Sequence, residues 1–167
     1  MVFAERQRFK QWWLWLILLG IGAVLIFRLY TQIDLIEQSN DLPESEKAFF
    51  FSLGLLASIA LLFAFARLDT RIQRDGVYVR FLPFHFSFRH YPWEKISKAY
   101  VRKYNPIAEY GGWGLRLGLF GKGKAFNVSG NIGLQLEFSN GKKLLIGTKK
   151  PEDLKRILEK VPKTDKM

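Results

Sequence analysis

Two long apolar runs dominate the N-terminal part of the chain. Residues 12–27 form the first run, and residues 48–66 form a second run without any charged side chain. A helix rises about 1.5 Å per residue, so the second run matches a hydrocarbon core of roughly 30 Å. The first run reaches a similar length when it is extended to Tyr30, with Arg28 directed outward from the helix end. The pattern predicts a transmembrane helix hairpin over residues 1–66, with spans at about 12–30 and 48–66.

A cleaved signal peptide is the main alternative for the first run, because Arg6, Arg8 and Lys10 form a basic segment in front of it. The run is long for the apolar region of a signal peptide, and no Ala-x-Ala-like cleavage site follows it. A second span also comes soon after it. These features favour a retained membrane anchor.

Charge differs strongly between the two sides of the predicted spans. Three basic residues and one acid, Glu5, precede the first span, whereas five acids and one base lie between the spans: Asp34, Glu37, Asp41, Glu44, Glu46 and Lys47. Lys and Arg accumulate on the cytoplasmic side of membrane proteins. We therefore expect both termini in the cytoplasm and the short connecting loop outside.

The C-terminal part of the chain has the period of β-strands. Apolar residues alternate with polar ones or glycine at Phe84, Phe86 and Phe88, and again over residues 132–138. Asp75-Gly76 and Asn140-Gly141 are typical of two-residue hairpin turns, whose backbone requires positive φ. About six or seven short strands at this spacing predict an antiparallel sandwich or barrel.

One amphipathic helix is predicted after these strands. Pro151 suits the first helical turn, and four apolar residues then recur on one helical face: Leu154, Ile157, Leu158 and Val161. The predicted fold class is therefore α+β, a two-helix transmembrane hairpin followed by a β domain with one C-terminal helix.

Three segments carry a resemblance to a known family. They are Tyr-Pro-Trp-Glu-Lys-Ile at residues 91–96, Gly-Trp-Gly-Leu-Arg at 112–116, and the stretch 123–131 with the Gly-Leu-Gln-Leu of 133–136. With the two preceding spans, they resemble bacterial membrane proteins that have a C-terminal pleckstrin-homology-like domain. The resemblance implies such a domain over residues 67–162, a barrel plugged by the helix, with a tail at 163–167. It also implies a bacterial inner (plasma) membrane protein without catalysis.

Few residues suggest catalytic or metal chemistry. The chain has no cysteine, which excludes disulfides and thiol catalysis, and His85 and His90 are its only histidines. Their odd spacing within one predicted strand sends them to opposite faces, which argues against a metal site. Residues 118–124 have the spacing of a phosphate-binding loop, but Ala125 replaces the hydroxyl residue that would hold magnesium. We expect no catalytic residues, metal or cofactor.

Basic residues suggest a different partner, the membrane surface. From Arg67 to the end the chain has 21 Lys or Arg and 9 Asp or Glu. Nucleic acid is not expected, because a domain tethered at a bilayer already has an anionic surface beside it. Arg67, Arg71 and Arg74 follow the second span without a linker and are the candidates for lipid contact, unless they only set topology. The short turn at Asp75-Gly76 argues against a specific headgroup pocket.

A glycine- and aromatic-rich stretch is the candidate surface for a protein partner. Exposed Trp and Arg are favoured at interfaces, and the candidate contacts are Tyr110, Trp113, Arg116, Lys122 and Lys124. A place for Trp113 in the core is the alternative. We expect a non-enzymatic membrane-anchored module that binds a protein partner or self-associates. The alternatives are an enzyme acting on membrane lipids and a regulator that binds anionic lipid.

The charge asymmetry predicts the topology directly. A reporter that is active only outside the cytoplasm should be active when inserted at Ser39 and inactive when fused after Met167, because basic flanks are retained inside. Activity measured in whole cells for both fusions checks this expectation. The opposite pattern would contradict it.

Overall fold

The computed structural model of this chain describes residues 3–36, 44–118 and 121–160. The described residues divide into two compact units. One lies within Lys10–Phe65, and the other combines Met1–Phe9 with Ala66–Met167.

The first unit consists of two helices, α1 (Trp12–Ile36) and α2 (Glu44–Phe65). Each contains a segment long and apolar enough to cross a membrane, Trp12–Thr31 in α1 and Lys47–Phe65 in α2. Their large apolar side chains are exposed, as at Phe51, which is 73% accessible. A soluble protein rarely leaves so much contiguous apolar surface in water. The two predicted apolar helices are thus confirmed.

The second unit contains two β-sheets. The first sheet has the order β1-β2-β3-β4 and is antiparallel throughout. Its strands are β1 (Phe3–Arg8), β2 (Arg67–Ile72), β3 (Gly76–Leu82) and β4 (Arg89–Pro92). A short 3-10 turn, Trp93–Lys95, connects β4 to the second sheet.

The second sheet has the order β5-β8-β9-β7-β6. Its strands are β5 (Ile96–Lys103), β6 (Gly114–Leu117), β7 (Lys124–Asn127), β8 (Ile132–Phe138) and β9 (Lys143–Gly147). A short helix, α3 (Pro106–Tyr110), lies between β5 and β6, and α4 (Pro151–Lys160) follows β9.

Strand β1 adds an element that the sequence does not predict. It pairs with β2 along its whole length, from Phe3 opposite Ile72 to Arg8 opposite Arg67. Its alternate residues Phe3, Glu5 and Gln7 are buried. Two of these three are polar, so the strand lacks the apolar alternation by which strands are recognised.

Hydrogen bonds compensate for burial of Glu5 and, in part, of Gln7, whose Oε1 has no hydrogen-bond partner within the described residues. Glu5 accepts hydrogen bonds from the Thr148 hydroxyl at 2.6 Å and the Lys149 backbone N–H at 2.7 Å. The Gln7 side-chain amide donates to the Gly147 carbonyl at 2.7 Å. Because Gly147 ends β9 and Lys149 precedes α4, β1 is bound both to the first sheet and to the chain that leads into the last helix.

The core contains apolar residues of both sheets and of α4. Phe81 from the first sheet, Leu134 from the second and Leu154 from α4 belong to one buried cluster. Helix α4 begins at Pro151 as predicted, and Ile157 and Leu158 pack against the same cluster. Val161, the last predicted apolar position, lies outside the described residues. The amphipathic C-terminal helix is confirmed.

The strand predicted at residues 84–88 is wrong. This segment is the loop between β3 and β4, and Phe84 and Phe86 are 55% and 82% exposed, whereas His85 is buried. Pro83 cannot donate a ladder hydrogen bond, so the strand ends at Leu82. His85 and His90 consequently do not share a strand.

The described residues form no closed barrel, which corrects that expectation. Strands β7 and β9 are parallel, so the second sheet is not purely antiparallel either. Eight strands, β2 to β9, are described after the second helix, more than the six or seven predicted. The α+β class with two N-terminal helices and a C-terminal helix is confirmed.

Antiparallel hairpins form at both predicted positions, but only Gly141 supplies the predicted positive φ. Gly141 has φ of +77°, as the turn between β8 and β9 requires. Gly76 instead begins β3, where a Cβ would collide with the Tyr91 carbonyl oxygen and lie 2.9 Å from Pro92 Cα. Gly76 therefore permits the close approach of β4 and does not supply positive φ.

Removal of the Glu5 carboxylate should destabilise the β unit. In Glu5→Ala the buried Thr148 hydroxyl and the Lys149 N–H lose their acceptor, which should cost about 1–3 kcal/mol of unfolding free energy. Thermal unfolding of the full chain in mild detergent measures the effect. Glu94→Ala is the control, because Glu94 is exposed and has no hydrogen bond within the described residues. Equal melting temperatures for both variants would contradict the assignment of β1 to the sheet.

Candidate anion-binding site on the first sheet

The outer face of β1, β2 and β3 is rich in arginine. Side chains alternate along a strand, so the residues between the core positions share this face. Five of them are arginines and one is an acid: Arg6, Arg8, Arg67, Arg71, Arg80 and Asp69. Five positive charges against one negative charge leave this surface, called here the arginine face, with a formal charge of +4.

Asp69 lies at the centre of the arginine face. The register places Arg6 and Arg80 directly beside it on the two neighbouring strands. Arg6 Nε lies 2.9 Å from Oδ1, Arg80 Nη2 lies 2.7 Å from Oδ2, and Arg67 Nε lies 3.4 Å from Oδ2. The Asp69 side chain is only 6% exposed as a result. One carboxylate thus draws three guanidinium groups together.

The pKa of Asp69 reflects this environment. Burial acts to raise the pKa of its carboxyl group, but hydrogen bonds from Arg80 and Arg6 and the charges of Arg6 and Arg67 outweigh burial. The pKa lies below its ordinary value. Asp69 is therefore ionised at neutral pH and holds its three arginines in place.

Two further arginines of the face keep their donors available. Arg8 and Arg71 have no ion pair with a carboxylate within the described residues. The Arg71 guanidinium lies 4.3 Å from the centre of the Phe88 ring, and that of Arg80 lies 4.5 Å from it. Such stacking orients a guanidinium and leaves its in-plane N–H groups free. The face can therefore hydrogen-bond a bound anion.

An exposed aromatic loop borders one end of the arginine face. Leu82, the last residue of β3, pairs with Arg67, and the loop of residues 83–88 follows it. Only Ala66 separates Arg67 from the end of α2, and three residues separate Arg8 from α1. The loop with the exposed Phe84 and Phe86 therefore begins at the end of the sheet where β1 is connected to α1 and β2 is connected to α2.

A polar cluster lies toward the other end of β2 and β3. The Tyr78 hydroxyl donates to Asp75 Oδ2 at 2.5 Å, His90 Nε2 lies 3.5 Å from the same oxygen, and the Tyr78 and His90 rings stack with centres 4.2 Å apart. The hydrogen bond from Tyr78 holds the pKa of Asp75 below its ordinary value. Arg74 is exposed in the adjacent turn. Of the three predicted lipid-contact arginines, the structure thus brings Arg67 and Arg71 onto one face and places Arg74 apart.

The five predicted partner-contact residues occupy the region from α3 to β7. Tyr110, at the end of α3, is only 2% exposed and packs edge-on against Tyr104, with ring centres 6.0 Å apart. Arg102 donates to both carboxylate oxygens of Glu109, at 2.8 and 3.2 Å, and to the Tyr110 hydroxyl at 3.2 Å. Tyr110 is therefore part of the buried interior of this region, and Glu109 forms an ion pair with Arg102.

The other four predicted contact residues lie at or near the surface. Trp113 is half-buried, and its indole N–H donates to the Gly130 carbonyl at 3.1 Å. The exposed Arg116 donates through Nε to the Trp113 carbonyl at 3.0 Å. Lys122 and Lys124 are exposed. Trp113 and Arg116 are therefore neighbours, and the two lysines lie in and before β7.

Sequence reasoning missed Arg6, Arg8 and Arg80 as members of the arginine face. The sequence pattern indicates Arg6 and Arg8 only as a basic flank of the first span, since it does not predict β1. The period-2 spacing of Ala4, Arg6 and Arg8 was the available indication of a strand with an exposed polar face. Their pairing with β2 could not be inferred from it.

The described residues contain no group of three or more His, Cys, Asp or Glu side chains that could hold a metal ion. His85 is buried against Phe126, with ring centres 5.4 Å apart. Its burial, with the charges of Arg89 and Lys124, lowers its pKa. In comparisons with protein-family models, curated proteins and solved structures, nothing matches this chain.

The Asp69 ion pairs predict a defined pH dependence of stability. Because its pKa is lower in the folded than in the unfolded chain, its contribution is present above about pH 4 and is lost as the pH falls through the folded pKa. The melting temperature of the full chain, measured from pH 7 to pH 3, should fall more steeply in wild type than in Asp69→Asn. At pH 7 the variant should be less stable by about 2 kcal/mol. Parallel pH profiles would contradict this role.

Proposed function

We propose that this chain is an integral membrane protein whose β unit is a non-enzymatic module that binds anionic lipid headgroups through the arginine face. The observation that carries the proposal is the position of this face. Its formal charge of +4 lies on the strands that continue into α1 and α2, next to a loop with two exposed phenylalanines. Arginine binds phosphate through paired N–H donors, and aromatic side chains favour the membrane interface.

The expected strength of this contact is modest. Basic residues near an anionic bilayer contribute about 1 kcal/mol each, and the attraction is screened by salt. Arg6, Arg67 and Arg80 are already engaged by Asp69, so Arg8 and Arg71 have the most freely available donors. The proposal is therefore recognition of negative surface charge, with little selectivity between headgroups.

The cellular setting is part of the same proposal. The basic flank before α1 and the acidic segment between the helices support two spans with both termini in the cytoplasm. The motifs at residues 91–96, 112–116 and 123–136 support a bacterial inner membrane protein with a pleckstrin-homology-like domain. The two sheets and α4 are compatible with an open version of that architecture.

Absence of catalysis also belongs to the proposal. The buried His85 packs on Phe126, and Glu109 is engaged by Arg102, so neither is presented to a substrate. A lipid-modifying enzyme would place an acid or base beside the headgroup-binding surface. Asp69, the acid within the face, is engaged by three arginines, and the members of the Asp75–Tyr78–His90 cluster interact with one another.

Binding of a protein partner, or self-association, is the second candidate function. It is favoured by the exposed apolar side chains of β6, an edge strand of the second sheet, since edge strands can pair with other chains. Leu117 of β6 is 72% exposed and lies one residue from Arg116.

A fluorescent label in the aromatic loop can test the lipid proposal. The chain has no cysteine, so Ser87→Cys provides a single attachment point for an environment-sensitive dye without replacing Phe84 or Phe86. The full chain would be reconstituted in vesicles of phosphatidylcholine alone or mixed with phosphatidylglycerol. We expect the dye emission to shift to the blue with phosphatidylglycerol, and the shift to shrink as salt reduces the Debye length from about 10 to 3 Å.

Matched variants separate a specific contact from a general charge effect. Arg8→Gln with Arg71→Gln should greatly reduce the blue shift, whereas Arg156→Gln with Lys160→Gln, two exposed charges on α4, should leave it unchanged. The same dye at Ser139→Cys, in the turn between β8 and β9, should not respond to phosphatidylglycerol. A response that ignores anionic lipid, or equal loss in both double variants, would overturn the proposal.

A further inference from the structure

A second surface feature is a groove of about 940 Å³ within the β unit. It lies between β4, an edge strand of the first sheet, and the ends of β6, β7, β8 and β9 of the second sheet. The groove borders the end of β3 and β4 at which Gly76 pairs with Pro92. The opposite end of β3, Leu82, pairs with Arg67, where the chain arrives from α2. The groove and the aromatic loop therefore border opposite ends of the first sheet.

Positive charge dominates the groove. Four lysines and one glutamate line it: Lys95, Lys124, Lys142, Lys143 and Glu94. All five side chains are exposed, and none has an ion pair within the described residues. Four lysines and one carboxylate leave the lining with a formal charge of +3, and an acidic occupant reduces the repulsion among the lysines. Charge complementarity therefore calls for a negatively charged ligand.

The same groove also has apolar walls. Tyr91 and Phe138 pack with ring centres 5.4 Å apart on one side, and Leu117 and Leu144 contribute aliphatic surface. Leu117 is exposed although it is apolar, which costs free energy until a partner covers it. A simple inorganic anion would leave this apolar surface exposed to water. The preferred occupant therefore combines carboxylates with apolar side chains.

Strand β6, whose Leu117 lines the groove, is an edge strand of the second sheet. It pairs only with β7 within the described residues, from Gly114 to Leu117, so an extended chain can be added at its other edge. Gly123 has φ of +83°, and a Cβ there would collide with the Lys143 carbonyl oxygen, so its backbone lies directly against the start of β9. Glycine at position 123 thus leaves this part of the groove lining without a side chain.

We infer that this groove binds an acidic, partly apolar segment of another protein, with its carboxylates on the four lysines and an apolar side chain against Leu117 and Phe138. The inference rests on the partner-binding part of the second candidate function and is independent of lipid binding by the arginine face. Both can occur together, because they use opposite ends of the first sheet.

A designed peptide serves as the probe. The full chain in phosphatidylcholine nanodiscs would be titrated against a fluorescent peptide of about ten residues in which Glu and Leu alternate, the pattern of an added strand. Anisotropy measures the affinity. Peptides of alternating Lys and Leu, and of Glu and Ser, are the controls for charge and for apolar contact. We expect saturable binding of the Glu–Leu peptide alone.

Variants of the protein locate the binding. Lys142→Glu with Lys143→Glu should weaken the Glu–Leu peptide about tenfold or more, because two attractive contacts become repulsive. Lys149→Glu with Lys150→Glu, an exposed adjacent pair that does not line the groove, should change the affinity less than about twofold. Leu117→Ser should also weaken binding, and it does so without a charge change. Unchanged melting temperatures show that the variants fold.

Three outcomes would overturn the inference. One is no saturable binding of the Glu–Leu peptide, and another is equal weakening by both lysine pairs. The third concerns the dye attached through Ser87→Cys in the aromatic loop. If Lys142→Glu with Lys143→Glu abolishes its response to phosphatidylglycerol, the groove lysines contact the membrane and not a protein segment. Failure of peptide binding with an intact dye response would reject the groove inference and leave the lipid proposal standing.

Discussion

The arginine face depends on the carboxylate of Asp69. The strand register places Arg6, Asp69 and Arg80 side by side on three neighbouring strands, and Arg67 reaches the same carboxylate. Without a negative charge, guanidinium groups at this cross-strand spacing would repel one another and weaken the sheet. A single acid stabilises β1 against β2 and β3, and still leaves an excess of positive charge for an external anion.

Strand β1 also connects the first sheet to the C-terminal part of the β unit. Its outer residue Arg6 contacts Asp69, while its inner residues Glu5 and Gln7 contact the end of β9 and the segment before α4. The same six residues precede α1, the first of the two apolar helices. A basic segment that would otherwise be only a topology determinant is thus part of a sheet, and its charges are held on one face by backbone pairing.

The β unit presents two chemically different surfaces. The arginine face is rich in planar donors, which suit phosphate groups. The exposed phenylalanines follow the end of β3, where β1 and β2 are connected to the helices. The groove combines lysines with apolar walls and borders the opposite end of β3 and β4. Under the two proposals made above, one surface binds anionic lipid and the other binds an acidic protein segment.

The sequence by itself determined the two apolar helices, α4 and most of the later strands, because each is encoded by local periodicity. It also indicated Arg67, Arg71 and Arg74 as candidates for lipid contact, of which the structure places Arg67 and Arg71 on the arginine face. Only the tertiary structure decided that β1 joins β2, since that pairing connects residues far apart in the chain and leaves no local trace. The loop at 83–88 shows the converse: its Phe alternation imitates a strand, but Pro83 ends the ladder and the fold buries His85 instead. Candidate sites assembled from several strands depend on register, which sequence pattern does not specify.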